Sequence, residues 1–191
     1  MKKRIITIAG KAGSGKSSAA KNIAQEISYK HYSSGDFFRS IANDRDVSVT
    51  ELNTLAEDDP QVDIDVDEKN RALNNETDLV VDSRTAFHWV PESFKVYLDI
   101  DPDVAIRRIM QDLAVNADRQ KSEEAYKDLE EAKDRMVTRY ASENKRYQDL
   151  YQLDPSLHEN YDLVIDTGIP ENNLEGVVKQ IIKKYNIWLE S

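Results

Sequence analysis

The stretch Gly10-Lys11-Ala12-Gly13-Ser14-Gly15-Lys16-Ser17 constrains this chain more than any other feature, because it fits G-x-x-x-x-G-K-[ST] at every fixed position. It follows the aliphatic run Ile5-Ile6-Thr7-Ile8-Ala9. It precedes a segment that sets Ala19, Ala20, Ile23, Ala24 and Ile27 on one helical side. A strand that passes into a helix through such a loop predicts a phosphate cradle. The glycines let backbone N–H groups converge on phosphate oxygens without Cβ obstruction. The helix opening near Lys16 aims its positive end at the same anion. The loop from Gly10 to Ser17, with Ser18 behind it, is therefore expected to hold the phosphates of ATP. Lys16 would reach the β- and γ-phosphates, and the Ser17 hydroxyl would ligate Mg²⁺.

Beyond the loop, short apolar runs alternate with helical stretches. Strands are expected at Arg4–Ala9, His31–Ser33, Asp78–Asp82, Lys95–Ile100 and Leu163–Asp166. Helices are expected at Lys16–Ser28, Gly35–Asn43, Thr50–Glu57 with Thr50 as N-cap, Pro60–Asn75, Val104–Ala117, Ser122–Tyr151 and Asn173–Trp188. This alternation predicts an α/β sandwich around a parallel sheet. The 191 residues suit one domain, with inserts at about residues 36–76 and 112–150. Of those inserts, Pro60–Asn75 is strongly charged and reads as peripheral.

Composition limits the function classes. A net charge of −10 argues against a nucleic-acid-binding surface. It does not argue against phosphate ligands, provided Lys and Arg gather in one cleft. Apolar runs of about five or six residues are too short to span a bilayer. The basic start followed by Ile5–Ala9 superficially mimics a signal peptide, but its apolar run is too short for one. With no cysteine there are no disulfides and no thiolate metal site, so a cytoplasmic protein is expected. It is expected to work as a monomer. The histidines His31, His88 and His158 show no metal-ligand spacing.

Several residues point to the type of chemistry. Leu79-Val80-Val81-Asp82 approximates a Walker B run, whose acid would hold Mg²⁺ through its water shell. The Asn-Lys-x-Asp base-reading motif of GTPases is missing, since Asn144-Lys145 continues into Arg146-Tyr147. Arg39 and Arg84 follow strand ends on the side where α/β sheets bind ligands, where guanidinium forks suit a phosphate dianion. Arg139, Glu143 and Arg146 are spaced four and three, so they share one helical face, which Arg135 extends. Two arginines about 10 Å apart along a helix can address a phosphate chain together, with Glu143 fixing their rotamers. A solvated Arg/Glu face is the other reading of that spacing.

Ser34-Gly35-Asp36-Phe37-Phe38-Arg39 resembles the acceptor motif of nucleoside monophosphate kinases. Asp82-Ser83-Arg84 resembles that family's second acceptor element. Arg139 to Tyr147 resembles the helix of cytidylate kinases, especially the short archaeal type. With Val96-Tyr97-Leu98-Asp99 and Tyr161 to Thr167, the likeness covers nearly the whole chain. It implies a five-stranded parallel sheet, a helical acceptor insert and a lid.

The resemblance also implies roles. Arg39 and Arg84 would grip the acceptor phosphate beside Gly35 and Asp36, while Arg139 and Arg146 would contact the transferring and acceptor phosphates. Arg108 falls in the pair Arg107-Arg108, which resembles the lid-hinge arginines. Asp63, Asp67 and Asn70 lie in the acceptor insert, where similar family members carry polar residues. Any of them could meet the cytosine amino group, but an exposed charged helix face is the favoured reading for them. Ser83 stands where that family carries Gly, and Gly35-Asp36 leans toward adenylate kinases. The implied reaction is γ-phosphoryl transfer from Mg·ATP to a nucleoside monophosphate, CMP or dCMP first. Another base, a small-metabolite alcohol with Asp36 as base, and a non-transferring nucleotide switch remain alternatives.

Overall fold

Fully buried from end to end, β1 (Ile5–Gly10) is the continuous apolar strand that the middle of a parallel sheet requires. The structure, a computed structural model, describes residues 2–115, 126 and 128–191. After β1 come α1 (Lys16–Glu26), β2 (Lys30–Ser33), α2 (Ser34–Asp44), α3 (Val49–Leu55) and α4 (Gln61–Ala72). Then follow β3 (Leu79–Asp82), α5 (Ala86–Trp89), β4 (Phe94–Asp99) and α6 (Pro102–Val115). The long helix α7 (Leu129–Tyr151), β5 (Leu163–Asp166) and α8 (Leu174–Glu190) complete the order.

The five strands stand in the order β2-β3-β1-β4-β5, all parallel. This is the expected α/β sheet. From β1 the chain crosses toward β2, and from β3 it crosses back toward β4. The C-terminal ends of β1 and β3 therefore flank a topological switch point, where such sheets open a ligand crevice. Register places Asp82 beside Ile8 on one side and beside Ser33 on the other. The phosphate loop, the end of β3 and the start of α2 thus meet at one edge.

Side-chain alternation divides the core. Ile6, Ile8, Val80, Val96 and Leu98 face α1 and α8, where Ala20, Ile23, Ile181 and Tyr185 fill the layer. Ile5, Leu79 and Val81 face Ala86 and Val90 on the other side. A separate small cluster, Ala42, Val49, Leu52, Ala56 and Val62, holds α2, α3 and α4 together.

Some boundaries differ from the sequence expectation. The N-cap of α3 is Ser48, not Thr50, because Ser48 and Glu51 form a reciprocal capping box. Helix α1 stops at Glu26, and Ser28 takes a left-handed φ of 57°. The segment expected to be peripheral, 60–75, has a buried face in α4 made by Val62, Asp63, Asp67 and Asn70. Residues 116–117 of one expected helix and 122–125 and 127 of the next lie outside the described residues, as does part of the 112–150 insert.

Backbone crowding explains the loop's glycines. Gly10 has φ 151°, and a Cβ there would overlap the Leu98 carbonyl oxygen of β4. Gly13, at φ 78°, would carry its Cβ 2.7 Å from the Ala105 carbonyl oxygen. Gly10→Ala should therefore cost about 1–3 kcal/mol through overpacking, lowering Tm by roughly 2–10 °C. A thermal melt beside a nucleotide-binding titration checks this. The expected outcome is a lower Tm together with weaker ATP binding.

Candidate active site

A cleft of about 870 Å³ opens at the switch point. Seven Lys or Arg side chains and five Asp or Glu side chains line it, in a chain whose net charge is −10. The cationic gathering expected of an acidic phosphate-binding protein is present.

At one end lies the phosphate loop. Gly15, the N-cap of α1, sits at φ 82°. The helix start has no side-chain cap and no acidic residue in its first turn. Its amides and positive dipole end are thus left open to an anion from the cleft. Ala12, Gly13, Gly15, Lys16, Ser17 and Ser18 line the cleft. Ser14 is buried beneath it. The Lys11 side chain turns away, 2.7 Å from Asp99, and ties the loop to the end of β4. Burial pushes the Asp99 carboxyl up, but hydrogen bonds from Lys11 and the Ile100 amide outweigh this and leave it below the usual range.

The Ser17 hydroxyl donates to Asp82 Oδ2 at 2.5 Å. One hydroxyl and one carboxylate, both hard oxygen donors, make a set that fits Mg²⁺ bound mainly through water and phosphate. Among the described residues no group of three or more His, Cys, Asp or Glu could hold a metal unaided.

The arginines face the loop from several elements. Arg39, on α2, pairs with Asp36 across one helical turn. Arg84, beyond β3, meets Glu143 Oε2, while Arg139 Nε donates to Glu143 Oε1 at 2.9 Å. Glu143 therefore joins Arg84 and Arg139, whereas the spacing alone suggested that it joins Arg139 and Arg146. The Arg84 guanidinium also lies 5.2 Å from the centre of the Tyr140 ring. Arg108, on α6, donates to the Thr167 carbonyl at 2.6 Å, beside the end of β5.

Arg146 is placed differently. It lines the cleft but is buried, donating to Asp63 Oδ2 at 2.6 Å and to Asn53 Oδ1 at 3.1 Å. The exposed-face reading of Asp63, Asp67 and Asn70 is corrected here, since their exposures are 4, 2 and 0%. Buried polar groups are as a rule hydrogen-bonded. Each of these residues makes at least one such bond, although Asp67 Oδ2 has no partner among the described residues. Asp67 Oδ1 accepts from Thr85 at 2.6 Å and from Asn70 at 3.0 Å, and Ser34 donates to Asn70 at 2.8 Å. Of the two aspartates only Asp63 lines the cleft, and its carboxyl is pushed up by burial against the opposing pull of Arg146. Ser83 turns its hydroxyl to the Thr85 and Ala86 amides, 3.3 Å each, and so satisfies the backbone at the start of α5.

Lys21, Thr85, Tyr147 and Asp112 also line the cleft and were missed in the sequence. Lys21 falls one helical turn after Ser17, a spacing that could have revealed it. Tyr147 closes the Arg139–Tyr147 segment but is not one of its charged positions, and Thr85 and Asp112 carry no motif.

Known proteins resemble this chain in sequence and in fold. Residues 9–130 match the family model described as AAA domain. A cytidylate kinase of Natronomonas pharaonis is 36% identical over 95% of this chain and 90% of its own length. Another from Haloarcula marismortui is 40% identical over 86% of this chain and 81% of its own. Among solved structures, a shikimate kinase of Bacteroides thetaiotaomicron superposes with TM-score 0.61 at 14% identity, covering 98% of each chain. That last likeness is one of fold.

The Arg84–Tyr140 stack leads to a direct test. Tyr140→Leu removes the ring beneath the guanidinium, an interaction worth about 0.5–2 kcal/mol. Affinity for a nucleoside monophosphate should fall roughly two- to thirtyfold. Tyr140→Phe keeps the ring and should stay within about twofold. Titration of both variants, with ATP affinity measured alongside, checks it.

Proposed function

Since the chain belongs to the cytidylate kinase family and carries the AAA domain match, we propose that it transfers the γ-phosphoryl group of Mg·ATP to a nucleoside monophosphate, with CMP or dCMP preferred. One observation carries this reading: the uncapped N-terminus of α1 and the arginines Arg39 and Arg84 occupy a single cleft. A donor phosphate chain fits the first and an acceptor phosphate the second.

The assignment of roles follows from charge and position. The loop from Gly10 to Ser17, with Lys16 and Ser18, binds the ATP phosphates. Ser17 and Asp82 would hold Mg²⁺, which would supply charge neutralisation across the phosphate oxygens. Arg139 and Arg108 face the transferring group, and Arg39 and Arg84 fix the acceptor phosphate beside Gly35 and Asp36. Asp63 borders the pocket for the acceptor base, and Asp67 supports it from behind through Thr85 and Asn70. An acceptor phosphate oxygen is ionised at neutral pH, so no general base is needed and positioning does the work. Asp36, the candidate base for an alcohol acceptor, is already engaged by Arg39.

The same reading makes the chain one kinase domain with an acceptor insert at about 36–76 and a lid at about 112–150. It works as a cytoplasmic monomer on small nucleotides rather than nucleic acid. Among the described residues no helix is long and apolar enough to cross a membrane.

Base choice is the sharpest test. A pocket that hydrogen-bonds one base edge leaves its polar groups unpaired against another. With Mg·ATP and a panel of CMP, dCMP, UMP, AMP and GMP, CMP or dCMP should show the highest kcat/KM by roughly tenfold or more. Diphosphate and ADP should form in equal amounts. A preference for AMP or GMP would remove the cytidylate assignment, and failure of every monophosphate would remove the kinase reading.

A further inference from the structure

Arg146 has five N–H donors. Four hydrogen bonds engage them within the protein. Nε donates to Asp63 Oδ2 at 2.6 Å and Nη2 to Asn53 Oδ1 at 3.1 Å. Nη1 donates to the Ser142 hydroxyl at 2.7 Å and to the Asn53 carbonyl at 3.3 Å. Its side chain is 7% exposed, against 42% for Arg139 on the same helix. A guanidinium with one donor left is a poor phosphate clamp, which needs two parallel bonds.

The partners of Arg146 lie on other elements. Asn53 is on α3 and Asp63 on α4, while Arg146 and Ser142 are on α7. Between the α3–α4 turn and α7 lies a crevice of about 560 Å³, bordered by Ala56, Pro60, Val137, Ala141 and Leu150. Among the described residues no buried apolar cluster joins α7 to α3 or α4, and the bonds of Arg146 bridge the boundary beside the Ser142–Glu57 hydrogen bond of 2.6 Å. Glu143, three residues before Arg146, holds Arg84 and Arg139.

We infer that Arg146 is a positioning residue, which fastens α7 to the acceptor-side helices through Asp63 and Asn53 and so aims Glu143, Arg139 and Arg84, rather than a phosphate ligand. The inference rests on the monophosphate-kinase reading for its effect on turnover, but the fastening itself does not. Removal of one partner strands a buried charge, so the loss is large. Lys at position 146 has three donors on one nitrogen and cannot span Asp63 and Asn53 as the planar fork does.

A double-mutant cycle on the full chain tests it, with Arg146→Met, Asp63→Asn and their combination, together with Arg146→Lys. Steady-state kcat and KM for CMP and for ATP are read. Each single change should lower kcat/KM for CMP by roughly thirtyfold or more, with KM for ATP within about threefold. The double variant should be no more than about threefold worse than the poorer single. Arg146→Lys should fail to restore activity. Multiplicative losses, or recovery by Arg146→Lys to within about threefold of the parent, would overturn the inference in favour of direct phosphate contact.

Hydrogen exchange without nucleotide supplies a readout independent of turnover. Arg146→Met should speed exchange in α3 and α4 as well as α7, with the global Tm still cooperative. Faster exchange confined to α7 would also overturn the inference. If no monophosphate supports turnover while exchange spreads as expected, the functional reading fails and the fastening stands.

Discussion

The chain must leave a buried central strand and enter a helix between Gly10 and Lys16, and that turn governs the site. Its glycines are imposed by neighbours, since the Leu98 and Ala105 carbonyl oxygens occupy the space a Cβ would take at Gly10 and Gly13. Once the backbone is bent this tightly, its amides point outward and the α1 N-terminus has no side chain to cap it. An anion completes the geometry. The sheet register then puts Asp82 beside Ile8 and within reach of Ser17, so a pair of hard oxygen donors arises at the same edge.

The second constraint is charge. Seven cationic side chains in one cleft repel each other unless carboxylates separate them. The structure interposes Asp36 at Arg39, Glu143 between Arg84 and Arg139, and Asp63 at Arg146. Each pairing also limits rotamer freedom, so the arginines are held in position before a ligand arrives. The pairings differ in depth. Glu143 and Asp63 are buried, and the Asp36–Arg39 pair is exposed. The exposed pair can exchange its partner for phosphate most readily, since exposed ion pairs contribute little.

Local features were legible in the sequence. The loop motif, the apolar strands and the helical spacing of Arg139 and Glu143 depend on near neighbours, and the structure contains each of them. Arg39 and Arg84 were legible as cations near strand ends, and Arg108 through its likeness to lid-hinge arginines; all three line the cleft. What could not be read was the pairing across long separations. Asp63 meets Arg146 from 83 positions away. Asp67 and Asn70 look like a solvated helix face because polar residues at helical spacing give the same pattern whether water or Thr85 and Ser34 satisfies them. Ser48 took the cap from Thr50 because a reciprocal bond with Glu51 outweighs an isolated hydroxyl two residues later.

The central claim is that one cleft holds a donor triphosphate and an acceptor monophosphate at the same time, end to end. Titration calorimetry with adenosine and cytidine joined through five phosphates, in the presence of Mg²⁺, tests it most directly. The account predicts one molecule bound per chain, roughly a hundredfold or more tighter than ATP or CMP alone, because the second site is filled intramolecularly. Binding no tighter than ATP alone, or two molecules per chain, would contradict it.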